Sequence, residues 1–365
     1  MITELTIKNL RCFKELSLDN ITPITLISGE NNIGKTTLLE GIFLLFGHRT
    51  PELFFKINNI RGIASMVQMS LPQGHFIGME PSLPWETLFP DMDMTLNLGI
   101  SVKDAAGITS SVCFEKDTQV SLVQFSGNRN TNNMLQPAPG SYVLNMSFER
   151  NENTEKGRFI ITQNGLVLNF DARSQFLPQS CIYIGPNAPF LQHPTPEWLG
   201  KAEIDDKKTQ IVDALRILDD KILDIFVVTK NGIIDIYAKW STGKPRPVKT
   251  LGGGINKLLD YLLVMAANPG SIILLDEIET GFHYSFYPKL WELIATFSEK
   301  TQCQVFATTH SHECIENALR GTSENGNRER FSYIRLGRNK EGVIQPHCFR
   351  PDMLEYAINA NMEIR

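Results

Sequence analysis

Alternating apolar and polar positions open the chain and predict strands there. Residues 2–8 alternate in this way, and residues 15–28 do so with many β-branched side chains. The second stretch ends in the short apolar run Ile24–Ser28, which is typical of a strand buried on both faces of a sheet. Glycines then mark a loop over 29–34, and apolar residues at helical spacing predict a helix over 35–46.

The middle of the chain consists of short alternating runs separated by Gly, Asn and Asp clusters, which predicts an antiparallel β subdomain. These runs are residues 95–102, 110–114, 120–125, 142–148, 159–162, 166–170 and 181–184. A segment rich in Asn, Pro and Gly, residues 126–141, is predicted to be a mobile loop.

Helical and α/β patterns follow Gly185-Pro186. The spacing of apolar residues predicts these elements in chain order: an amphipathic helix over 209–223, a hairpin over 225–237, an apolar helix over 252–267, a strand over 271–275, a helix over 284–297, a strand over 304–308, a helix near 313–319 and a strand over 331–336. Strands that alternate with helices in this way predict an α/β protein.

Composition and charge narrow the class of protein. Hydrophobic residues make up 42% and charged residues 21% of the 365 residues, which is enough apolar material for a sizeable core. The formal net charge of −5 excludes a protein that binds nucleic acid over its whole surface, but not a local basic patch. No stretch approaches the about 18 apolar residues of a membrane span. Six scattered cysteines without a CxxC pair fit a reducing compartment, so we expect a cytoplasmic protein.

The segment Gly29–Thr36 fits the pattern G-x-x-x-x-G-K-[ST], between an apolar strand and a helix. A chance glycine-rich turn is the alternative, and the strand and helix on either side argue against it. The glycines let backbone N–H groups point at phosphate oxygens, and the helix N-terminus adds partial positive charge. Lys35 is predicted to reach the β- and γ-phosphates of ATP, and Thr36 to ligate Mg²⁺. The predicted nucleotide-binding residues are Gly29, Asn31, Asn32, Gly34, Lys35, Thr36 and Thr37.

A second candidate site is the pair Asp276-Glu277, which ends the apolar run Ile272–Leu275. The carboxyl end of a strand in an α/β sheet lies at the crevice where such sheets bind ligands. Asp276 is predicted to hold Mg²⁺ through water, and Glu277 to position and polarise the attacking water. The alternative is a strand end capped by two solvated acids.

His310 follows another predicted strand and is a candidate sensor of the γ-phosphate through hydrogen bonding. Two alternatives stay open, a structural histidine and a metal site shared with His312 and Cys314. No fourth ligand for such a metal site is evident, whereas structural zinc usually takes four.

Three consecutive glycines, Gly252, Gly253 and Gly254, precede the apolar helix and leave the N–H groups of its first turn unshielded. Such a helix start is an anion site. Because the first glycine loop already supplies donors for one nucleotide, we expect this second run to meet a nucleotide held by another copy of the chain. A flexible turn before a helix is the alternative.

The order of these motifs resembles that of ABC-type ATPase heads, and most of all the heads of SMC, RecF and OLD-family proteins. The start Ile7–Phe13 (IKNLRCF) is similar to their "IKNFRSF" start, in which the arginine, here Arg11, lies near nucleotide or DNA. The resemblance covers residues 1–47 and 250–315. It implies ATP bound between two heads arranged head to tail, with Gly252–Gly254 as the signature acting in trans, Glu279–His283 as the D-loop and His310 as the switch histidine.

The resemblance also implies how the chain is divided. We expect one ABC-type head with an α/β P-loop core of mixed sheet formed by residues 1–47 and 250–365. Residues 48–184 are predicted to form the antiparallel β subdomain and insert, and residues 185–249 a helical lobe and hairpin.

The sequence differs from those of two kinds of protein in this class, transporter subunits and OLD proteins. A transporter-type signature has serine in place of Gly252 and glutamine in place of Ile255, which argues against a transporter subunit. OLD proteins carry a C-terminal Toprim nuclease, but only 45 residues follow Arg320. We therefore expect an OLD-like AAA-family ATPase with no nuclease of its own.

Three functions are consistent with these features. The first is an ATPase subunit, at least a dimer, that controls a separate nuclease or toxin in an antiphage system such as Septu or PARIS. The second is a RecF- or SMC-like repair ATPase that binds duplex DNA, and the third is a scaffold in which ATP only locks an oligomer. Local support for DNA binding comes from a basic run that is more typical of a solvated hairpin turn: Lys239, Lys244, Arg246, Lys249 and Lys257.

Overall fold

A computed structural model describes most of the chain. The described residues are 1–63, 83–117, 143–151, 153–162, 165–171, 179–186, 195–324, 326, 328–360 and 362–364. The predicted strand over 120–125 and the predicted loop over 126–141 lie outside them. The chain divides into two compact units, the first formed by residues 1, 20–39 and 179–365 and the second by residues 2–19 and 40–178.

The described part contains sixteen strands and eight α-helices. The strands are β1 (Ile2–Leu10), β2 (Phe13–Leu18), β3 (Ile24–Gly29), β4 (Leu98–Asp104), β5 (Thr109–Lys116), β6 (Val143–Arg150), β7 (Asn153–Thr162), β8 (Gly165–Phe170), β9 (Cys181–Ile184), β10 (Ile222–Lys230), β11 (Ile233–Trp240), β12 (Arg246–Pro247), β13 (Ile272–Leu275), β14 (Gln304–Thr308), β15 (Phe331–Arg338) and β16 (Ile344–Phe349). The helices are α1 (Lys35–Gly47), α2 (Leu53–Ile60), α3 (Thr195–Ile204), α4 (Lys208–Leu218), α5 (Gly253–Ala267), α6 (Tyr287–Thr301), α7 (His312–Glu324) and α8 (Pro351–Asn359). Single 3-10 turns lie at Glu86–Leu88, Pro90–Met92, Val248–Thr250, Tyr284–Phe286 and Arg328–Arg330.

A six-stranded sheet forms the centre of the first unit, in the order β16-β15-β3-β14-β13-β9. Its strands are parallel except β16, which runs antiparallel to β15. Every residue of β3, β13 and β14 is buried. Parallel sheets are covered on both faces, which explains why these strands read as continuous apolar runs in the sequence.

Helices of the first unit supply much of its apolar core. Leu262 and Met265 of α5, Trp291 of α6 and Ile315 of α7 are fully buried in one cluster with Val305 of the sheet. A separate three-stranded sheet, in the order β10-β11-β12, contains the predicted hairpin, which extends beyond the predicted range at both ends.

The second unit is built on a seven-stranded antiparallel sheet in the order β2-β1-β4-β5-β6-β7-β8. Residues 143–148 of β6 alternate between half-buried and buried, so one face of the sheet packs on a core and the other does not. That core is aromatic: Phe54 of α2 meets Trp85, Phe114 and Phe159 at edge-to-face angles, with ring centroids 4.7 to 5.8 Å apart.

The structure corrects the predicted single strand over 15–28. This stretch contains two strands, β2 and β3, which lie in different sheets. Asn20 between them has a φ of 54°, and Pro23 has no N–H to donate to a ladder, so the strand is interrupted there. The change from alternating burial in β2 to complete burial in β3 marks the same boundary.

A second correction concerns Cys181–Ile184, which was predicted to belong to the antiparallel β subdomain. This strand, β9, instead pairs in parallel with β13 at the edge of the six-stranded sheet. A run of only four residues has too few alternations to distinguish the two kinds of sheet. Helix α4 also ends at Leu218, five residues before the predicted end, because the chain enters β10 at Ile222.

None of the helices described by the structure is long and apolar enough to cross a membrane. All six cysteines have free thiols.

Candidate functional site

The predicted phosphate loop lies at the carboxyl end of β3, between β14 and β15. Gly29 has a φ of +141°, and a Cβ atom there would lie 2.4 Å from the carbonyl oxygen of Leu336, so only glycine fits. Gly34 has a φ of +104°, and its carbonyl accepts from Leu38 N–H at 2.9 Å, which starts α1. The loop therefore ends at the N-terminus of a helix, as the motif predicts.

The Lys35 side chain is buried and curls back onto the loop that precedes it. Its Nζ donates to the carbonyl oxygens of Gly29 at 2.6 Å and Glu30 at 2.8 Å. The ammonium is thereby held at the loop, where it can exchange carbonyl oxygens for phosphate oxygens.

The Asp276 carboxylate lies at the end of β13 and accepts hydrogen bonds from three hydroxyl groups. Thr36 donates at 2.9 Å and Tyr183 at 2.7 Å to one oxygen, and Thr308 donates at 2.5 Å to the other. The structure thus brings together Thr36 and Asp276, which are 240 positions apart in the sequence. Hydroxyl and carboxylate oxygens are the ligands that Mg²⁺ prefers, so these side chains fit that ion.

Sequence reasoning missed Tyr183 and Thr308, although both carry a readable signal. Each lies at or near the carboxyl end of a parallel strand next to β13. Polar side chains at that end of a sheet converge on its ligand crevice. The sequence does not predict Tyr183 at the site, because it predicts β9 to be part of the antiparallel sheet and not a neighbour of β13.

Glu277 has a left-handed backbone, with a φ of 50°, directly after β13. Its N–H donates to the Thr308 hydroxyl at 2.9 Å, and its carboxylate accepts from the Thr280 hydroxyl at 3.3 Å. A non-glycine residue in this region costs about 1–3 kcal/mol, and such strain concentrates at functional sites. The strained backbone thus orients the half-buried carboxylate of Glu277, the residue next to Asp276.

His310 follows β14, and its backbone N–H donates to one carboxylate oxygen of Glu279 at 2.7 Å. The histidine lines a cavity of about 720 Å³ together with residues of the phosphate loop and three other side chains. The full lining is Gly29, Glu30, Asn31, His310, His312, Arg335 and Glu363. This places His310 beside the start of the loop, where a γ-phosphate sensor is expected.

The alternative metal site at His310, His312 and Cys314 does not form. Cys314 is fully buried, and burial raises the pKa of its thiol to about 12, which disfavours the thiolate that binds metals. His312 lies 3.5 Å from Glu316 instead. Within the described ranges, no group of three or more His, Cys, Asp or Glu side chains is placed to hold a metal ion.

The three glycines of the predicted trans signature form the start of α5. Gly252 is the N-cap residue, and its carbonyl accepts from Ile255 N–H at 3.1 Å. Open space surrounds the positions where Gly252 and Gly253 would carry a Cβ. A Cβ on Gly254 would lie 2.9 Å from the carbonyl oxygen of Gly281, so this glycine packs on the turn after Glu277.

Arg11 belongs to the second unit, where its guanidinium pairs with the fully buried carboxylate of Glu40 at 3.0 Å. Arg61 pairs with the same carboxylate at 2.7 Å. The role of Arg11 near a nucleotide therefore stays a prediction.

Comparisons with known proteins identify a family and several relatives of the chain. A family model described as "AAA domain, putative AbiEii toxin, Type IV TA system" matches residues 24–316. An "ATP/GTP phosphatase" of Helicobacter pylori (strain ATCC 700392 / 26695) is 22% identical over 384 aligned positions, covering 98% of this chain and 97% of the relative. An "OLD nuclease" of Thermus scotoductus (strain ATCC 700910 / SA-01) is 35% identical over 86 residues, which are 21% of this chain and 16% of that protein.

Among solved structures, a crystal structure of the SmcHead bound to the C-winged helix domain of ScpA aligns with a TM-score of 0.50. The alignment covers 98% of this chain and 99% of that one at 14% identity, so it is evidence for the fold alone. The predicted P-loop fold of an ABC-type head is thereby confirmed.

Proposed function

The chain belongs to the AAA-domain family whose model it matches, and from this premise we propose that it binds ATP with Mg²⁺, hydrolyses it, and closes head to tail with a second copy. The family and the ATP/GTP phosphatase relative support nucleoside triphosphate hydrolysis in general. The hydrogen bond between Thr36 and Asp276 carries the proposal, because it joins the phosphate loop to the strand end that bears Glu277.

In this proposal the backbone N–H groups of the phosphate loop bind the phosphates, and Lys35 exchanges its two carbonyl partners for phosphate oxygens. The binding residues are Gly29, Asn31, Asn32, Gly34, Lys35, Thr36 and Thr37, with Arg11 as a further contact implied by the family resemblance. Thr36 and Asp276 are the residues that hold Mg²⁺. When bound, the ion neutralises charge on the β- and γ-phosphate oxygens.

The chemical step is assigned to Glu277. Its carboxylate orients a water molecule for in-line attack on the γ-phosphorus and accepts a proton from it as the bond to the leaving ADP oxygen breaks. His310, at the cavity beside Gly29 and Asn31, reports the γ-phosphate through a hydrogen bond. Tyr183 and Thr308 hold the Asp276 carboxylate in place for this arrangement.

Closure of two copies is assigned to Gly252, Gly253 and Gly254. Open space beside the first two leaves their backbone free to approach a phosphate of another copy closely. The third fixes the helix start against the turn after Glu277.

Gly253 and Gly254 offer a matched pair of variants, because a Cβ would meet a neighbouring atom only at Gly254. Gly254→Ala places a methyl group against the Gly281 carbonyl, so we expect the melting temperature to fall by a few degrees. Gly253→Ala meets nothing within 4 Å, so we expect the melting temperature to stay level or rise, while ATP-dependent dimerisation weakens about tenfold. Thermal melts and analytical ultracentrifugation with ATP check both. A Gly253→Ala chain that dimerises normally contradicts the role in trans.

The biological output of closure is assigned to a separate effector, a nuclease or toxin, in an antiphage system. The family description and the OLD nuclease relative support this reading. The basic run gives little support to direct DNA binding, because Lys249 pairs with Asp235 at 3.2 Å and Arg246 lies over the Trp240 ring at 5.3 Å. Lys257 belongs to the same run, but its Nζ is buried.

Steady-state ATP turnover of the purified chain tests the proposal, with and without duplex DNA and with Glu277→Gln as the blank. Turnover above the blank that is indifferent to DNA supports an ATPase awaiting its effector. Strong, salt-sensitive stimulation by DNA supports the repair-type alternative. Turnover equal to the blank in every condition contradicts ATP hydrolysis by this site.

A further inference from the structure

Arg335 lies near the carboxyl end of β15, the strand that pairs in parallel with β3. The register places Arg335 opposite Ser28 and Leu336 opposite Gly29, so the arginine backbone lies beside the start of the phosphate loop. Residues 331–334 and Leu336 are buried, whereas Arg335 is half-buried. Parallel α/β sheets bind their ligands at this end, and the proposed function gives this charged residue no role.

Arg335 lines the cavity of about 720 Å³ that the phosphate loop and His310 also border. All residues that line this cavity belong to the first unit. Among the described lining residues, Arg335 is the one that carries a positive charge throughout the physiological pH range, because a histidine has to be protonated first. Glu30 and Glu363 line the cavity as well, and their negative charges oppose a phosphate group that enters it without a cation beside it.

Residues 363 and 364 hold the guanidinium of Arg335 at this cavity. Its Nη1 donates to the backbone carbonyl oxygen of Glu363 at 3.2 Å. Ile364 is buried in the apolar core, and its carbonyl accepts from the hydroxyl of Tyr333, which lies two residues before Arg335 on β15. Arg335 makes no further hydrogen bond to a described residue, so most of its five N–H groups are left for a ligand.

We propose that Arg335 binds the γ-phosphate of the ATP held by its own chain and stabilises the charge that develops there during hydrolysis. The inference rests on the proposed function, which places the γ-phosphate at this cavity beside His310, and it adds a catalytic residue to that site. A guanidinium gives two parallel N–H bonds to phosphate oxygens. An arginine supplied in this way by the same chain speeds phosphoryl transfer.

The contact also separates ATP from ADP, because ADP has no γ-phosphate for Arg335 to bind. Without the arginine, Glu30 and Glu363 would face the γ-phosphate with no cation of the cavity between them. Loss of Arg335 should therefore weaken the binding of ATP and leave that of ADP nearly unchanged.

Isothermal titration with ATP and with ADP tests the contact in the Glu277→Gln chain, where binding is measured without turnover. Arg335→Met keeps an apolar stem and removes the charge, and we expect it to weaken ATP binding about tenfold and ADP binding less than threefold. Arg335→Lys keeps a charge without the paired N–H groups, so its ATP affinity should lie between the two. The control is Arg338→Met on the same strand. Arg338 is exposed, donates to the carbonyl of Gly342 at 2.9 Å and is not one of the described residues that line the cavity, so this change should leave both affinities as they were.

Turnover with Glu277 intact tests the catalytic role. Arg335→Met is expected to lower kcat at least about a hundredfold, more than the loss in ATP affinity, and Arg338→Met to leave kcat unchanged. An unchanged kcat in Arg335→Met overturns this role.

The affinities distinguish the ways in which the inference can fail. Equal losses of ATP and ADP affinity in Arg335→Met overturn it, because they indicate a damaged loop and not a missing contact to the γ-phosphate. An ATP affinity equal to that of the Arg338→Met control also overturns it and leaves the proposed function intact. If the Glu277→Gln parent binds no ATP, the proposed function fails and the inference fails with it.

Discussion

A Glu277→Gln chain is expected to bind ATP about as tightly as the wild-type chain and to hydrolyse it at least about a hundredfold more slowly. Glutamine has nearly the same shape as glutamate and keeps an oxygen that accepts from the Thr280 hydroxyl, but it cannot accept a proton from water. The backbone at residue 277 is held by the Thr308 hydroxyl whichever side chain is present, so the site should stay folded.

Because closure precedes hydrolysis in the proposed cycle, the Glu277→Gln chain should accumulate as an ATP-loaded dimer. Phosphate release, ATP affinity and sedimentation at micromolar protein check the three expectations on one preparation. Glu292→Gln, a half-buried change on α6 outside the proposed site, is the matched control and should leave all three unchanged. A Glu277→Gln chain that turns over ATP at the wild-type rate would move the chemical step to another residue.

A Lys35→Ala chain is expected to lose at least about a hundredfold in affinity for ATP. Lys35 gives the phosphate loop a full positive charge. Hydrogen bonds to charged groups contribute about 1.5–3 kcal/mol each. Lys35 gives up two carbonyl bonds to make these, so the net gain is the added attraction between the ammonium and the charged phosphates, which we expect to be at least about two factors of ten in the dissociation constant. Isothermal titration with ATP measures the change directly.

Lys35 also bonds to two carbonyls of the free loop, so its removal could disturb the loop itself. A thermal melt of the nucleotide-free Lys35→Ala chain separates the two effects, because a loop defect lowers the melting temperature before any ligand is added. Lys56→Ala, an exposed change on α2, is the control for loss of one positive charge. Undiminished ATP affinity in Lys35→Ala would show that the nucleotide binds elsewhere.

The predictable parts of the site are those with a local pattern. Gly29, Gly34 and Lys35 could be found because the loop needs special backbone angles and one cation at fixed spacing. Asp276 could be found because an apolar run ended in an acid.

The parts that escaped prediction depend on which strands are neighbours. Tyr183 donates to Asp276 only because β9 pairs with β13, and a four-residue strand carries no period that reveals its partner. The sequence places Lys257 in a basic run that is typical of DNA binding or of a solvated hairpin turn, whereas helix packing buries its Nζ near a turn that begins 20 positions later. Such placements are set by tertiary contacts between distant segments, which local patterning does not encode.

The two carbonyl bonds of Lys35 also influence how tightly the chain holds ATP and its product ADP. The empty loop contains its own competitor for the lysine, so a ligand gains only the difference between the bonds it offers and the bonds it displaces. A triphosphate brings more charged oxygens to that exchange than a diphosphate does. The carbonyl bonds that Lys35 loses are the same for both nucleotides, so they lower both affinities by the same factor, and the triphosphate keeps the larger net gain. ADP, which has the smaller net gain, is released as the lysine returns to its resting partners.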